Sequence, residues 1–132
     1  QAVARRQIAA ARGGKQIHRL SVRAQLGMAR NGYSAYCASK GALVMLVKQH
    51  AGELAAHGIC VNGIAPTVVE TEAARSWFED KARYQRLLER IPLGRVAQPA
   101  DIAGAALFFA SAASDFVTGQ VLYLDGGLTA TQ

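Results

Sequence analysis

Two side chains with acid–base chemistry, Tyr36 and Lys40, stand four residues apart in the sequence. Residues at i and i+4 share one face of a helix, so these two side chains would project together. A phenol with a pKa of about 10 is a weak acid–base catalyst at neutral pH, and a nearby ammonium group favours its phenolate form. The pair could therefore exchange a proton with a carbonyl or hydroxyl oxygen.

A single Tyr-x-x-x-Lys spacing is weak evidence, because chance alone gives it about 0.12 times in a chain of this composition. A structural tyrosine beside a solvated lysine is the alternative interpretation. Ser21 strengthens the case, because it follows a short strand-like segment and its hydroxyl could hold the same oxygen. Ser34 is a second serine nearby, and a helix N-cap is the competing role for it.

The elements that must position these side chains alternate between helices and strands. Helices are predicted over 2–12, 34–57, 67–90 (as one or two helices) and from Pro99 onward, and strands over 15–21, 59–66 and 120–124. This alternation predicts an α/β fold with a parallel sheet and crossover helices. Three strands are few for a doubly wound sheet, so the chain is interpreted as part of a larger domain.

Glycines and apolar side chains set the limits and the faces of the helices. Gly13-Gly14 and Gly58 are predicted to end the first and the long helix, respectively. On the long helix, a stripe at helical spacing predicts the face that packs on the sheet, and it contains Leu43, Leu46, Val47, His50 and Leu54.

The first strand, KQIHRLS (15–21), is unusual for a buried parallel strand. Gln16 and Arg19 are poor choices for a strand covered on both faces, because a buried arginine needs a partner. Either this strand lies at a partly exposed edge or the segment carries local errors.

The composition is that of a folded protein, with 51% hydrophobic and 18% charged residues. No apolar run approaches the ~18 residues that cross a bilayer, so no membrane segment is predicted. The two cysteines, Cys37 and Cys60, exclude a disulfide framework and favour a cytoplasmic protein. The three histidines do not cluster with other ligands at metal spacing, so no metal is expected.

The net charge of +6 arises in one segment, since residues 1–30 hold seven of the 15 basic residues and none of the nine acidic ones. Residues 5–30 could therefore bind nucleic acid through phosphate contacts. No aromatic residue interleaves these bases, which makes a solvated basic surface the preferred interpretation and predicts no nucleic-acid partner.

The chain resembles the short-chain dehydrogenase/reductase family over nearly its whole length. The resemblance rests on an ordered set of motifs: SVRA (21–24), YSAYCASKGAL (33–43), GICVNGIAP (58–66), IPLGRVAQPADIAGAALFFAS (91–111) and VTGQVLYLDGG (117–127). It implies that residues 1–132 are the C-terminal portion of a single Rossmann-type domain. It also implies interconversion of a secondary alcohol and a ketone with NAD or NADP, on a sugar acid, polyol or 3-oxoacyl substrate.

The same resemblance implies roles for individual residues. Tyr36 would be the acid–base catalyst, Lys40 would stabilise the phenolate and hold the nicotinamide ribose, and Ser21 would position the substrate oxygen. The cofactor would be contacted by Tyr36 and Lys40, by Pro66 at the end of the second strand, and by Thr67, Val69 and Thr71 after it. The segment 67–90 would cover the substrate, and the C-terminal strand and helix would help to form a homotetramer.

The chain departs from the family pattern at four places, one of which is the unusual first strand described above. The family's glycine-rich dinucleotide loop has no counterpart in residues 1–14. Ser21 lies fifteen residues before Tyr36, two more than is usual, which a longer loop over 22–33 would explain. Thr67 stands where the family has glycine, and a β-branched residue there would be strained if its φ were positive. The missing loop leaves open an alternative interpretation, a catalytically silent fragment or structural remnant.

Overall fold

A computed structural model describes residues 1–29 and 32–131 of the chain. Arg30 and Asn31, within the loop predicted over 22–33, lie outside the described residues. In chain order the elements are α1 (Ala2–Ala10), β1 (Gly14–Arg19), α2 (Ser34–Leu54), β2 (Ile59–Pro66), α3 (Arg75–Glu79), α4 (Lys81–Leu88), α5 (Pro99–Ala110) and β3 (Val121–Leu124). Short 3-10 turns lie between several of them.

The three strands form one parallel sheet in the order β1-β2-β3. Gly14 to Arg19 pair with Ile59 to Ile64, and Gly63 to Pro66 pair with Val121 to Leu124. The prediction of an α/β fold with three parallel strands and crossover helices is confirmed. Because the strands are parallel, their carboxyl ends lie at one edge of the sheet, where this class of fold binds its ligands.

Alternate residues of β1 identify what covers each face of the sheet. Gln16 donates a hydrogen bond from its side chain to Gln7 of α1 (2.7 Å). Lys15, on the opposite face, contacts the Ser114 hydroxyl (3.2 Å) and the Asp115 carboxylate (2.8 Å), both just beyond α5. Helices α1 and α2 thus lie on one face of the sheet, and α5 with the segment after it lies on the other.

The polar residues of β1 are accommodated because part of the strand is exposed. Arg19 is exposed and Gln16 is only half-buried. In the part of the chain that the structure describes, β1 pairs with β2 alone and forms an edge of the sheet. Within the described residues, the polar side chains of β1 thus lie at exposed or half-buried positions of the strand.

The long helix α2 packs on β2 through most of the predicted stripe. Val47 and Leu54 are buried, and Leu54 lies in one apolar cluster with Ala51, Ile59 and Val61. Leu46 was wrongly placed on this face, because it is 37% exposed. Since α-helical positions are about 100° apart, Leu46 lies beside the buried stripe rather than in it.

Two element ends differ from their predictions. Helix α1 ends at Ala10, and the left-handed cap is Ala11 (φ 51°) rather than Gly13-Gly14. Strand β1 ends at Arg19, two residues earlier than its predicted end at residue 21, and Ser21 follows it. Gly58 does adopt the predicted left-handed conformation (φ 65°), after a 3-10 turn that prolongs α2.

A second apolar cluster lies beyond the carboxyl ends of the strands. Its buried members are Val22, Leu87, Ile91, Val96 and Leu128, and Trp77 and Phe78 pack against them. The segment between β2 and α5 is thereby anchored over the edge of the sheet at which ligands are expected.

His18 of β1 and His50 of α2 face each other between the sheet and α2, with ring centroids 6.2 Å apart. Nε2 of His18 and Nδ1 of His50 are buried, and neither has a hydrogen-bond partner. Burial, reinforced by the charge of His50, lowers the pKa of His18 from its ordinary value of 6.5. The neutral form of His18 is therefore the one that the folded protein favours.

We expect acid to destabilise the protein through His18. Its pKa is lower in the folded than in the unfolded state, so the unfolded chain binds the proton more tightly. This destabilisation is absent well above pH 6.5, the ordinary value, and grows as the pH falls through 6.5 toward the lower folded pKa. Denaturant unfolding at several pH values should show a shallower pH dependence for His18→Gln, and the exposed-site control His57→Gln should keep the original slope. An unchanged slope in His18→Gln would contradict the assignment.

Candidate active site

Ser21 is held at the carboxyl end of β1 by a local backbone turn. It is extended (φ −166°) and N-caps the turn Val22–Ala24, with its Oγ accepting a hydrogen bond from the Arg23 backbone N–H (3.2 Å). Ser21 as a whole is 8% exposed. The adjacent Leu20 N–H donates to the Ile64 carbonyl (2.8 Å), which ties this segment to β2. The hydroxyl is therefore fixed at the edge of the sheet where the strands end.

Tyr36 and Lys40 occupy the first two turns of α2 and lie on one face of it, as their spacing predicts. The Lys40 Nζ lies 5.5 Å from the centroid of the Tyr36 ring. It also donates a hydrogen bond to the Arg19 carbonyl (3.2 Å) and so joins α2 to the end of β1. Tyr36 is 43% exposed, which leaves its phenol accessible to a ligand.

The predicted site residues line one open cavity of about 330 Å³, which we call the Lys40 cavity. It is bounded by the ends of β1 and β2, the start of α2 and the segment after β2. Its walls include all seven residues singled out from the sequence: Ser21, Tyr36, Lys40, Pro66, Thr67, Val69 and Thr71. The fold thus brings together side chains that lie as much as fifty residues apart in the chain.

Thr67 adopts its position without the strain that its β-branched side chain would suffer at positive φ. Among the described residues, Ala11 is the sole non-glycine with a positive φ. The Thr67 N–H donates to the Leu124 carbonyl (3.3 Å), which continues the pairing of β2 with β3. Thr71, four residues further, has its hydroxyl 3.4 Å from the Val69 carbonyl.

A second cavity of about 280 Å³, the Arg23 cavity, adjoins the first and shares with it Ser21, Tyr36, Thr67, Val68 and Trp77. Arg23 and Tyr33 line only this second cavity. The two tyrosine rings are 5.8 Å apart between centroids. Ser21 and Tyr36 therefore stand between the two cavities, with Lys40 on one side and Arg23 on the other.

Arg23 is the residue that sequence reasoning missed. It is only 9% exposed, and its Nη1 donates to the backbone carbonyls of Gly27 (2.8 Å) and Leu26 (3.4 Å). Burial lowers the pKa of Arg23, and the nearby charge of Arg90 lowers it further. Its place two residues after Ser21 was the one available signal, because both residues follow the end of the same strand.

The other candidates lie outside this arrangement. Ser34 is exposed, and it is the first helical residue after the N-cap Tyr33, so it is not the N-cap itself. No group of three or more His, Cys, Asp or Glu side chains within 1–29 and 32–131 is placed to hold a metal ion. No helix in the described parts of the chain is both long and apolar enough to cross a membrane.

Parallel strands with crossover helices, and polar side chains gathered at their carboxyl ends, define a protein of the Rossmann-type α/β class. A family model described as enoyl-(acyl carrier protein) reductase matches residues 1–129. The chain belongs to the short-chain dehydrogenase/reductase family, as its motifs indicated.

Curated relatives and solved structures agree with this assignment. The chain is 44% identical to 5-keto-D-gluconate 5-reductase of Escherichia coli K12, over 89% of this chain and 45% of that protein. It is 43% identical to gluconate 5-dehydrogenase of Gluconobacter oxydans, over 98% and 49%. A gluconate 5-dehydrogenase from Burkholderia cenocepacia, solved with NADP and tartrate, superposes with a TM-score of 0.94 at 46% identity and covers 100% of this chain and 51% of its own. The chain thus spans about half the length of the relatives it matches.

Proposed function

We propose that this chain supplies the reaction centre of an NAD(P)-dependent oxidoreductase that interconverts a secondary alcohol and a ketone. The observation that carries the proposal is that Ser21, Tyr36 and Lys40 line one cavity at the carboxyl ends of β1 and β2. A hydroxyl, a phenol and an ammonium group in one cavity are the groups that a proton transfer to a carbonyl oxygen requires.

The Lys40 cavity fits the nicotinamide half of the cofactor. The Lys40 ammonium group is a donor for ribose hydroxyls, and Thr67 and Thr71 supply backbone and hydroxyl groups for a carboxamide. Pro66 and Val69 provide apolar surface beside these polar groups. When bound, the cofactor supplies or accepts the hydride. No glycine-rich turn that opens a helix occurs within residues 1–29 or 32–131, so the fit concerns this half of the cofactor alone.

In the reduction, Tyr36 donates its phenolic proton to the carbonyl oxygen, which becomes the hydroxyl of a secondary alcohol when the carbonyl carbon takes up the hydride that a bound cofactor would supply. The Ser21 hydroxyl donates a hydrogen bond to the same oxygen and orients it. Lys40 stabilises the phenolate that remains, because a cation close to an anion favours the charged form. In the oxidation, the Tyr36 phenolate accepts the proton of the alcohol, and a bound cofactor would accept the hydride from its carbon.

The substrate classes proposed from the motifs were a sugar acid, a polyol or a 3-oxoacyl group. The relatives named above act on gluconate or on 5-keto-D-gluconate. Their identities of 43–44% support a sugar acid as the substrate of the whole protein. By the same family resemblance we propose a cytoplasmic homotetramer, with residues 1–132 as the C-terminal portion of one domain.

The test is an assay of the full-length protein with NADPH and NADH against 5-keto-D-gluconate, L-xylulose and a 3-oxoacyl thioester. Substrate-dependent oxidation of either cofactor is the expected result. If no substrate is reduced and neither cofactor raises the melting temperature, the protein is the catalytically silent alternative, because a ligand stabilises only the state that it binds.

We expect Ser21→Ala to retain the fold and lose about 100-fold in turnover, the usual effect of removing one donor to a reacting oxygen. Ser34→Ala is the matched control, since Ser34 is exposed and lies outside both cavities. Turnover and circular dichroism measured on both variants decide between the two serines. Equal activity of Ser21→Ala and the parent protein would contradict the role of Ser21.

A further inference from the structure

Arg23 is a buried cation beside the proposed reacting groups. Arg23 lines the same cavity as Ser21 and Tyr36, and it is only 9% exposed to solvent. A buried arginine usually has an acidic partner, because an uncompensated charge in a protein interior is unfavourable. Among the described residues, no acidic side chain pairs with Arg23, and its guanidinium group donates to the backbone carbonyls of Leu26 and Gly27.

None of the described residues that line the Arg23 cavity is acidic. They are Ser21, Val22, Arg23, Tyr33, Tyr36, Thr67, Val68 and Trp77. Both carbonyl contacts of Arg23 are made by Nη1, so the rest of the guanidinium group keeps N–H donors for another acceptor. Arg90 adds a second positive charge nearby, close enough to influence the ionisation of Arg23.

We propose that Arg23 determines substrate specificity by binding the carboxylate of an anionic substrate whose ketone or alcohol lies between Ser21 and Tyr36. The inference rests on the proposed function and narrows its substrate classes to acids. A carboxylate accepts two parallel N–H bonds from a guanidinium group and supplies the counterion that the cavity lacks. A neutral polyol of the same length supplies neither the paired acceptor oxygens nor the negative charge.

D-Gluconate and D-sorbitol provide the decisive comparison, because they differ only in a carboxylate against a hydroxymethyl group. The full-length protein should oxidise D-gluconate with a higher kcat/KM than D-sorbitol. In Arg23→Met, kcat/KM for D-gluconate should fall about 10- to 150-fold, as expected for losing a charged hydrogen bond, mainly through KM. The value for D-sorbitol should change by less than about threefold.

The matched control is Arg86→Met, which removes one positive charge from an exposed residue of α4 outside the Arg23 cavity. It should preserve the preference for D-gluconate. Equal losses on both compounds in Arg23→Met would show that Arg23 acts only by bracing the 26–27 loop, and the inference would be wrong. An unchanged preference would overturn it as well.

Binding separates this inference from the proposed function. Trp77 is the sole tryptophan of the chain and lines the Arg23 cavity, so its fluorescence reports occupancy without turnover. If the protein proves inactive, quenching by D-gluconate but not D-sorbitol, lost in Arg23→Met, would still support the carboxylate site. Should Arg23→Met fail to fold, Arg23→Lys replaces it, and we expect its affinity for D-gluconate to lie between those of the parent and of a protein without the site. If Arg23→Lys binds D-gluconate as tightly as the parent and D-sorbitol also quenches its fluorescence, the inference is wrong.

Discussion

Replacing Tyr36 by phenylalanine should reduce turnover by about 10²- to 10⁴-fold, the range for losing a general acid–base group. The phenol is the proton donor of the proposed reduction, and phenylalanine keeps the ring but removes the proton. Tyr36 is 43% exposed and lies in the first turn of α2, so the substitution removes no buried hydrogen bond. Turnover of the full-length variant should fall while its melting temperature and cofactor affinity stay close to those of the parent.

Tyr33→Phe is the sharpest comparison for this variant. Tyr33 lines the Arg23 cavity, with its ring centroid 5.8 Å from that of Tyr36, but it is absent from the Lys40 cavity. Deleting its hydroxyl should cost less than about tenfold in turnover. If Tyr33→Phe instead abolished activity and Tyr36→Phe did not, the acid–base role would belong to Tyr33.

The sequence was sufficient for the element order and for gathering the site, since both depend on local patterns. Alternating helices and strands require a parallel sheet, and parallel strands place their carboxyl ends together. Ser21 and Thr67 each follow the end of a strand, and Tyr36 and Lys40 share one helical face. Those rules are enough to predict that such residues meet, without any knowledge of their tertiary contacts.

The misplacements arose where neighbouring elements decide the outcome. Leu46 follows the helical period closely enough to be assigned to the core, but it lies beside the buried stripe and is 37% exposed. The cap of α1 falls on Ala11, although a glycine pair follows two residues later. Local preference favours glycine at such a cap. Gly13 instead serves the contact between its backbone and the Gly58 carbonyl, which a Cβ atom at position 13 would block.

Arg23 could not be assigned a role from the sequence, because that role depends on its burial and on which charged side chains lie near it in the folded chain. A surface arginine and a buried arginine without an acidic neighbour are identical in one dimension. Only the arrangement of α2, the 22–24 turn and the segment around Trp77 shows that its guanidinium group shares a cavity with Ser21 and Tyr36. The specificity role proposed for Arg23 therefore depends on which charged groups surround it in the fold, whereas the proposed reacting groups can be found from their spacing in the sequence.

Lys40→Met should reduce turnover by about 100-fold and weaken cofactor binding, a double effect that Tyr36→Phe should lack. Its ammonium group lies 5.5 Å from the Tyr36 ring centroid and lines the cavity proposed for the nicotinamide ribose. Methionine keeps the length of the side chain but removes the charge and the donor to the Arg19 carbonyl. Lys48→Met, eight residues along α2 and exposed, is the control for loss of one helical lysine and should behave like the parent. Steady-state kinetics with varied cofactor would expose the difference, and a Lys40→Met protein with parental cofactor KM would restrict Lys40 to the proton-transfer step.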